Sequence, residues 1–551
     1  MPVPPFDVET ADRHRCVSYS LAACRAILLL VMSPVFAASD PLNVATDLGQ
    51  VHGEAGPGVR EFKGIPFALP PVGEHRFAPP EPSSPWTGVL DATRYRSACP
   101  QLSRYGLTDA SDDEDCLYLN VTVPVPNRES AKKRPVIVWI YGGAFVGGSS
   151  NLYPLEYLSR SGDVVVVSIN YRLGVLGFMA HPAFALAHNG SLGLEDQREA
   201  LRWVKRNIAA FGGDPANVTL AGESAGGASV CLQLVSAEQS RGLFQKAIVQ
   251  SLACTVQLNS VADSDRIGEQ VAKLLHCDDP ATALVCLRSK SVHELLDAQS
   301  TVGAANPRAF TPSVGSISVP RQGADAFSTG RFLRVPMING GNRDEMRLYV
   351  AYAIAAGQIV TADTYPKLLA SVYGDAAPRV YAEYPLARFP SVPSALGTVE
   401  SDFIPAGPLS NCLYLETARA ASRYVPLYEY EFADRHAPPE MDDPGFEMGA
   451  VHAAELPYFF PHISHNSKVN GPDLEPPSQP VSRAMVAYWS SFAHTGRPSA
   501  DGLPIWPRYR ADADVMRFEP GEIHTFDAAT EHHCAFWQRL YPATLPRAIA
   551  K

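Results

Sequence analysis

The stretch Val218–Val230, VTLAGESAGGASV, holds a serine in the pattern Gly222-Glu223-Ser224-Ala225-Gly226. A short β-branched run precedes it and a small-residue helical run follows. A strand that turns sharply into a helix at a serine lifts the hydroxyl to a helix N-terminus, where the dipole favours a developing anion. Glycines on either side let neighbouring elements come close. The bare pattern is common, and a serine in it can simply cap a helix. The strand–turn–helix setting is what points to Ser224 as a nucleophile toward a carbonyl.

A nucleophile of this kind needs donors for the oxyanion, a base and an orienting acid. Trp139–Ser150, WIYGGAFVGGSS, directly follows another β-branched run, and four glycines flank its aromatic segment. That is more glycine than a plain strand-to-loop bend requires. Such backbone can aim N–H groups inward, and removing one oxyanion donor typically costs roughly 10²–10³ in rate. In folds of this class the partners follow in the order Ser, Asp/Glu, His. Residues 339–347, NGGNRDEMR, set Asp344 and Glu345 side by side, and the residues alone leave that choice open. Residues 449–460, GAVHAAELPYFF, place His452 in a small-residue loop, one candidate among 15 histidines.

The elements that must position these groups are short runs without alternation: Val136–Ile140, Val164–Ile169, Val218–Ala221, Ala247–Val249 and Val335–Ile338. Such runs predict strands buried on both faces. Leu194–Phe211 predicts a helix, with Leu201, Val204 and Ile208 on one side and acids at its start. Strands alternating with helices predict an α/β protein: a large, mostly parallel sheet with helices on both faces. Residues from about 255 to 420 read as helical and loop-rich, a cap-like region embedded in the same domain.

The chain has 551 residues, with 46 Lys+Arg against 57 Asp+Glu, a net charge of −11. With 46% hydrophobic and 19% charged residues it is not a disordered chain. No basic excess exists to neutralise phosphates, which argues against nucleic acid as a partner. The 48 prolines exceed the usual share and predict long ordered loops. Arg13, Arg15 and Arg25 precede an apolar run from Ala26 to Ala37. That run is too short to span a bilayer and ends in small residues, so 1–37 reads as a signal peptide and 38–551 as one domain. An uncleaved N-terminal anchor is the alternative. The mature protein is expected to be secreted or periplasmic, without a membrane span.

Beyond Cys16 and Cys24 in the signal, eight cysteines remain. None has zinc-site spacing, and no metal is expected. Cys99 with Cys116 and Cys277 with Cys286 could close short loops, but sequence does not fix connectivity. Asn120, Asn189 and Asn217 sit in N-x-[ST] patterns. Arg343 and Arg347 flank Glu345 and read as solvated surface arginines rather than as contacts to an acidic substrate group.

From about residue 42 to 545 the chain resembles the type-B carboxylesterase/cholinesterase family of α/β-hydrolases, in particular bacterial para-nitrobenzyl-esterase-like members. The resemblance is carried, in order, by FKGIPFALPPVGEHRFAPP (Phe62–Pro80), EDCLYLNV (Glu114–Val121), NYRLGVLGF (Asn170–Phe178), NGSLGLEDQ (Asn189–Gln197), FGGDPANVT (Phe211–Thr219), GESAGG and YWSSFAHTGRP (Tyr488–Pro498). It implies an α/β-hydrolase fold and a cofactor-free serine hydrolase of small-molecule carboxylic esters. By position it implies Ser224 as nucleophile, Glu345 rather than Asp344 as acid, and His452 as base. It further implies Gly143, Ala144 and Ala225 as oxyanion N–H donors and Glu223 as a buried acid beside the nucleophile. It implies the disulfides Cys99–Cys116, Cys277–Cys286 and Cys412–Cys534, and leaves Cys231 and Cys254 as free buried thiols or a fourth pair.

The chain departs from the family's pattern at four places. Ala144 replaces the usual third glycine, Leu252 follows Gln250-Ser251, and Met346 follows Glu345. The segment FTPSVGSISVP (Phe310–Pro320) lacks the usual Asp-Gly. The loop between Cys99 and Cys116 has no tryptophan, and Tyr105 is its only aromatic residue. A cation–π site of the cholinesterase design is therefore not expected there. The expected mechanism is acyl-enzyme hydrolysis with a base near neutral pKa, so that activity falls as His452 protonates. An amidase, lactonase or acyltransferase on the same triad is the alternative. A non-catalytic binding domain of the same fold is the remoter one, since all three triad positions are filled.

Overall fold

Strands rich in valine and isoleucine lie where both sheet faces are covered. In the computed structural model Val165–Ile169 (VVVSI) is buried at every position, and Arg134–Ile140 at all but its first. The structure describes residues 40–103, 110–125, 132–405, 407–463 and 473–545. The segment 1–37, expected to be a signal, and Tyr105 lie outside the described residues. The chain divides into two units, Met1–Asp40 and Pro41–Lys551, and every described element belongs to the second.

Among the described residues the main sheet has 11 strands. From one edge they run Glu522–Phe526, Val515–Glu519, Leu427–Phe432, Met337–Asn342, Lys246–Gln250, Gly213–Glu223, Arg134–Ile140, Val165–Ile169, Tyr118–Pro124, Val59–Pro66 and Glu54–Gly56. From Val515–Glu519 to Val165–Ile169 every neighbouring pair is parallel; the pairs outside that block are antiparallel. Register aligns the ends that matter. Ile140 pairs with Gly222, and Gln250 with both Glu223 and Gly340. Three chain segments therefore leave the sheet on the same edge, at the carboxyl ends of the strands, where open α/β sheets place their ligands.

Most expected elements form. Leu192–Asn207 is a helix, continued to Phe211 by a tighter turn that ends at Gly212 with φ 87°. The region 255–420 is helical apart from one sheet strand among the described residues. That strand is shifted from expectation: it spans Met337–Asn342, not Val335–Ile338. Pro336 lacks a donor for the ladder, and pairing continues instead through Gly340, Gly341 and Asn342 to Phe432. Leu427–Phe432 (LYEYEF) and Val515–Glu519 were not expected from pattern. Glu429, Glu431 and Arg517 in them are buried and held, Glu429 by Asn339 and Glu431 by Arg517 Nε, which donates to it at 2.9 Å.

Among the described residues four disulfides form. Cys99–Cys116, Cys277–Cys286 and Cys412–Cys534 have Cα separations of 4.9, 5.4 and 5.5 Å. Cys231–Cys254, at 5.2 Å, is the fourth pair, so neither is a free thiol. Such bonding fits an extracellular or lumenal protein. Among the described residues no helix is long and apolar enough to cross a membrane. Asn120 and Asn189, two of the three N-x-[ST] asparagines, are buried and hydrogen-bonded.

Beside the Cys412–Cys534 bond sits a buried ionic cluster. His532 has Nδ1 2.7 Å from Asp402 and its Nε2 on Glu431. Burial opposes the charged ring, but the charges and hydrogen bonds of Glu431 and Asp402 outweigh it and raise the pKa to about 10. This stabilisation is complete below the unfolded histidine pKa of ~6.5 and is lost as pH rises through the folded value. Replacing His532→Gln is expected to lower Tm strongly at about pH 6 and far less at about pH 10.5, measured by thermal unfolding of both proteins.

Candidate active site

The nucleophile turn is set by close packing. A methyl group added at Gly226 would lie 2.0 Å from the Ile140 carbonyl oxygen, and one at Gly222 would lie 2.6 Å from the Gly226 backbone. The strand end and the following helix, Ala225–Val235, thus touch backbone to backbone. Ser224 between them takes φ 57° and ψ −122°. A side chain held in such a region costs about 1–3 kcal/mol and must be fixed by its surroundings. Here the Ser224 N–H donates to the Gln250 carbonyl at 3.0 Å.

Glu345 follows the strand Met337–Asn342 and is fully buried. Its Oε1 accepts from the Asn342 N–H at 2.8 Å and from the Tyr414 hydroxyl at 2.9 Å. Its Oε2 lies 2.7 Å from His452 Nδ1. His452 Nε2 lies 2.9 Å from Ser224 Oγ. With the proton on Nδ1, the ring donates to Glu345 and accepts the serine hydroxyl hydrogen. One backbone and one side-chain bond hold the two loops together: the His452 N–H donates to the Glu345 carbonyl at 3.3 Å, and the Asn342 side-chain Nδ2 to the Val451 carbonyl at 2.7 Å.

The adjacent residues diverge. Asp344 accepts from the Ala450 N–H at 3.1 Å and pairs with Arg347 at 3.1 Å, away from His452. Arg347 is 4% exposed, which corrects the surface reading: Asp344, Thr398 and the Glu447 carbonyl surround it. Arg343 is half-buried on Glu531.

Glu223 sits 3.3 Å from His452 Nε2. A further buried carboxylate, Glu455, accepts from Gln250 at 3.0 Å and from Asn342 Nδ2 at 2.7 Å. Burial works against a charged His452, but Glu223, then Glu345 and its hydrogen bond, then Glu455 raise the pKa to about 9. That departs from the near-neutral base expected from sequence. Glu455 and Tyr414 were not singled out there, although an acid among the apolar residues of HAAELPYFF was a visible signal for the first.

Ser224 and His452 open into a cavity of about 90 Å³ that communicates with solvent. Gly143 and Ala144 line it, at φ 114° and 55°, and Phe145 continues the turn at 63°. Tyr153, Leu348, Tyr349, Tyr352 and Glu440 form much of the remaining wall. Ala225 is the first residue of the helix after Ser224.

The model of the carboxylesterase family matches residues 40–537. Human cocaine esterase is 35% identical over 95% of both chains. Para-nitrobenzyl esterase of Bacillus subtilis is 34% identical over 87% of this chain and 95% of its own. A solved thermophilic PNB esterase superposes with a TM-score of 0.74 at 30% identity, covering 90% of this chain and 100% of that one.

Ala144 puts a methyl group on this wall at a backbone angle that suits glycine, as Ala453 does beside the histidine at φ 68°. A left-handed non-glycine residue costs roughly 1–2 kcal/mol. Ala144→Gly is therefore expected to hold or raise Tm and to increase kcat/KM selectively for bulky esters, measured by thermal unfolding and an ester series of graded size.

Proposed function

The chain belongs to the carboxylesterase family and is a carboxylic ester hydrolase, and from that premise we propose that Ser224, His452 and Glu345 carry the reaction. The observation behind this assignment is the continuous hydrogen-bonded line from Ser224 Oγ through His452 to Glu345 at 2.9 and 2.7 Å. His452 takes the serine proton as Oγ attacks the ester carbonyl. The oxyanion is held by the N–H groups of Gly143, Ala144 and Ala225. His452 then protonates the leaving alcohol, and water activated by the same ring releases the acid from the acyl-enzyme. Glu345 fixes the ring's tautomer and balances its charge during each transfer. No step asks for a cofactor.

The substrate is a small-molecule ester that fits the cavity beside Ser224. Tyr153, Tyr349 and Tyr352 favour an apolar or aromatic portion. The protein acts after export, secreted or periplasmic, with 1–37 as its signal; the arginines before the apolar run support this.

Ser224→Ala is expected to abolish hydrolysis of p-nitrophenyl esters while leaving Tm near wild type. Turnover above background in the purified variant would reject the nucleophile. The rate is expected to climb as pH rises through the raised His452 pKa, because the protonated ring cannot accept the serine proton. Glu223→Gln removes the strongest of the raising charges. Its kcat/KM profile is expected to keep the same shape with its acid limb moved to lower pH, as a pH–rate series on both proteins will read.

A further inference from the structure

Part of the wall around Ser224 is a single turn of backbone whose two ends are fixed by different means. Gly142, Gly143, Ala144 and Gly148 all line the cavity. One end follows directly on the strand Arg134–Ile140 and is set by the sheet. The chain then turns tightly: the Gly143 carbonyl accepts from the Val146 N–H at 3.0 Å and from the Gly147 N–H at 3.1 Å. The other end, Gly148, comes back onto the start. It takes φ 115°, and a methyl group added there would lie 2.6 Å from the Gly142 carbonyl oxygen.

Gly148 is held in that place by the side chain of Gln101, 47 residues earlier in the chain. Gln101 Oε1 accepts from the Gly148 N–H at 2.8 Å, and Nε2 donates to the Gly148 carbonyl at 2.9 Å. One carboxamide thus serves both polar groups of one residue, as the backbone of a neighbouring strand would. Only one orientation of the amide satisfies the two together. Nε2 also donates to the Cys99 carbonyl at 3.0 Å, and Gln101 is 1% exposed. Gln101 is itself anchored. Its N–H and carbonyl exchange hydrogen bonds with Ser111 at 2.9 Å each, inside the loop that Cys99–Cys116 closes.

We propose that Gln101 is a positioning residue for ester hydrolysis, which through Gly148 sets the turn whose Gly143 and Ala144 N–H groups receive the oxyanion. The proposal rests on that reading of the two N–H groups. Oxyanion donors act by being aimed beforehand at the place where charge develops, and a displacement of about 1 Å can cost about 10² in rate. Without Gln101 the buried N–H and carbonyl of Gly148 lose this partner, and the far end of the turn is released. The middle stays attached, because the Phe145 carbonyl accepts from the Gly174 N–H at 2.7 Å. The fault is then a misaimed turn in a folded protein.

The test compares the full wild-type protein with Gln101→Ala and Gln101→Glu, with Tm measured on each. Gln101→Ala is expected to lower kcat about ten- to a hundredfold with KM within about twofold. It is expected to weaken binding of a trifluoromethyl ketone, which adds to Ser224 and forms an oxyanion there, by the same factor as kcat/KM. Gln101→Glu keeps an acceptor for the Gly148 N–H. Ionised, it turns a second oxygen toward the Gly148 carbonyl; protonated, its O–H donates there as the amide does. Its activity relative to wild type is therefore expected to recover as pH falls from about 9 to about 6, since burial favours the neutral acid. A lowered Tm with wild-type kcat and ketone affinity in Gln101→Ala would overturn the proposal. So would a Gln101→Glu ratio that stays flat with pH, and that ratio alone decides if Gln101→Ala does not fold. Wild type that binds the ketone no better than the matched methyl ketone would overturn the oxyanion reading and this proposal with it. Tight binding that is equal in wild type and Gln101→Ala would overturn this proposal alone.

Discussion

One imidazole ring among three buried carboxylates sets the terms for much of this molecule. Glu223, Glu345 and Glu455 are each at most 3% exposed. A carboxylate taken out of water is costly unless it is paired or hydrogen-bonded. The surrounding residues meet that demand. Tyr414 and the Asn342 N–H serve Glu345, while Gln250 and the Asn342 side chain serve Glu455. Glu223 lies against the ring itself. Asn342 thus serves two acids with two different groups and also holds the Val451 carbonyl. Partial satisfaction of such a network would be worse than an apolar core.

The sheet makes this arrangement possible by ending several parallel strands together. Ile140, Glu223, Gln250 and Asn342 all stand at or near strand ends on one edge. The loop with Gly143, the turn at Ser224 and the acid at Glu345 each begin there. Backbone contact at Gly222 and Gly226 then fixes how closely the helix after Ser224 approaches the strand Arg134–Ile140. The site is exact because its supports are ladders and backbone contacts rather than flexible side chains.

Local chemistry was legible in the sequence and long-range chemistry was not. Ser224 stood out because its turn, strand and helix are contiguous. Asp344 and Glu345 could not be separated by the residues alone, since both are acids in one turn. Family resemblance favoured Glu345, and the two side chains do point to different partners, Arg347 for one and His452 for the other. Tyr414 lies 69 residues from Glu345 in the chain, and nothing near it signals that contact. Arg347 read as a surface residue because two of its partners, Thr398 and Glu447, are distant in sequence. The strand LYEYEF was hidden by glutamates that look solvent-bound until Asn339, Arg517 and His532 are seen to pair with them.

The Cys412–Cys534 bond spans 122 residues, and its first cysteine lies on the helix that carries Tyr414. Ser224, Glu345 and His452 have all been synthesised before Cys534 emerges. The helix that supports the acid is nevertheless tied covalently to a residue that follows His452 by more than a whole helix in the chain. Closing so long a loop removes about 5 kcal/mol of denatured-state entropy. Translation order and maturation order are thus separated: a nascent chain that already contains the three groups still lacks the clamp. The tie on the helix that carries Tyr414 thus depends on disulfide-forming conditions that outlast the synthesis of His452, not on the presence of the three groups alone.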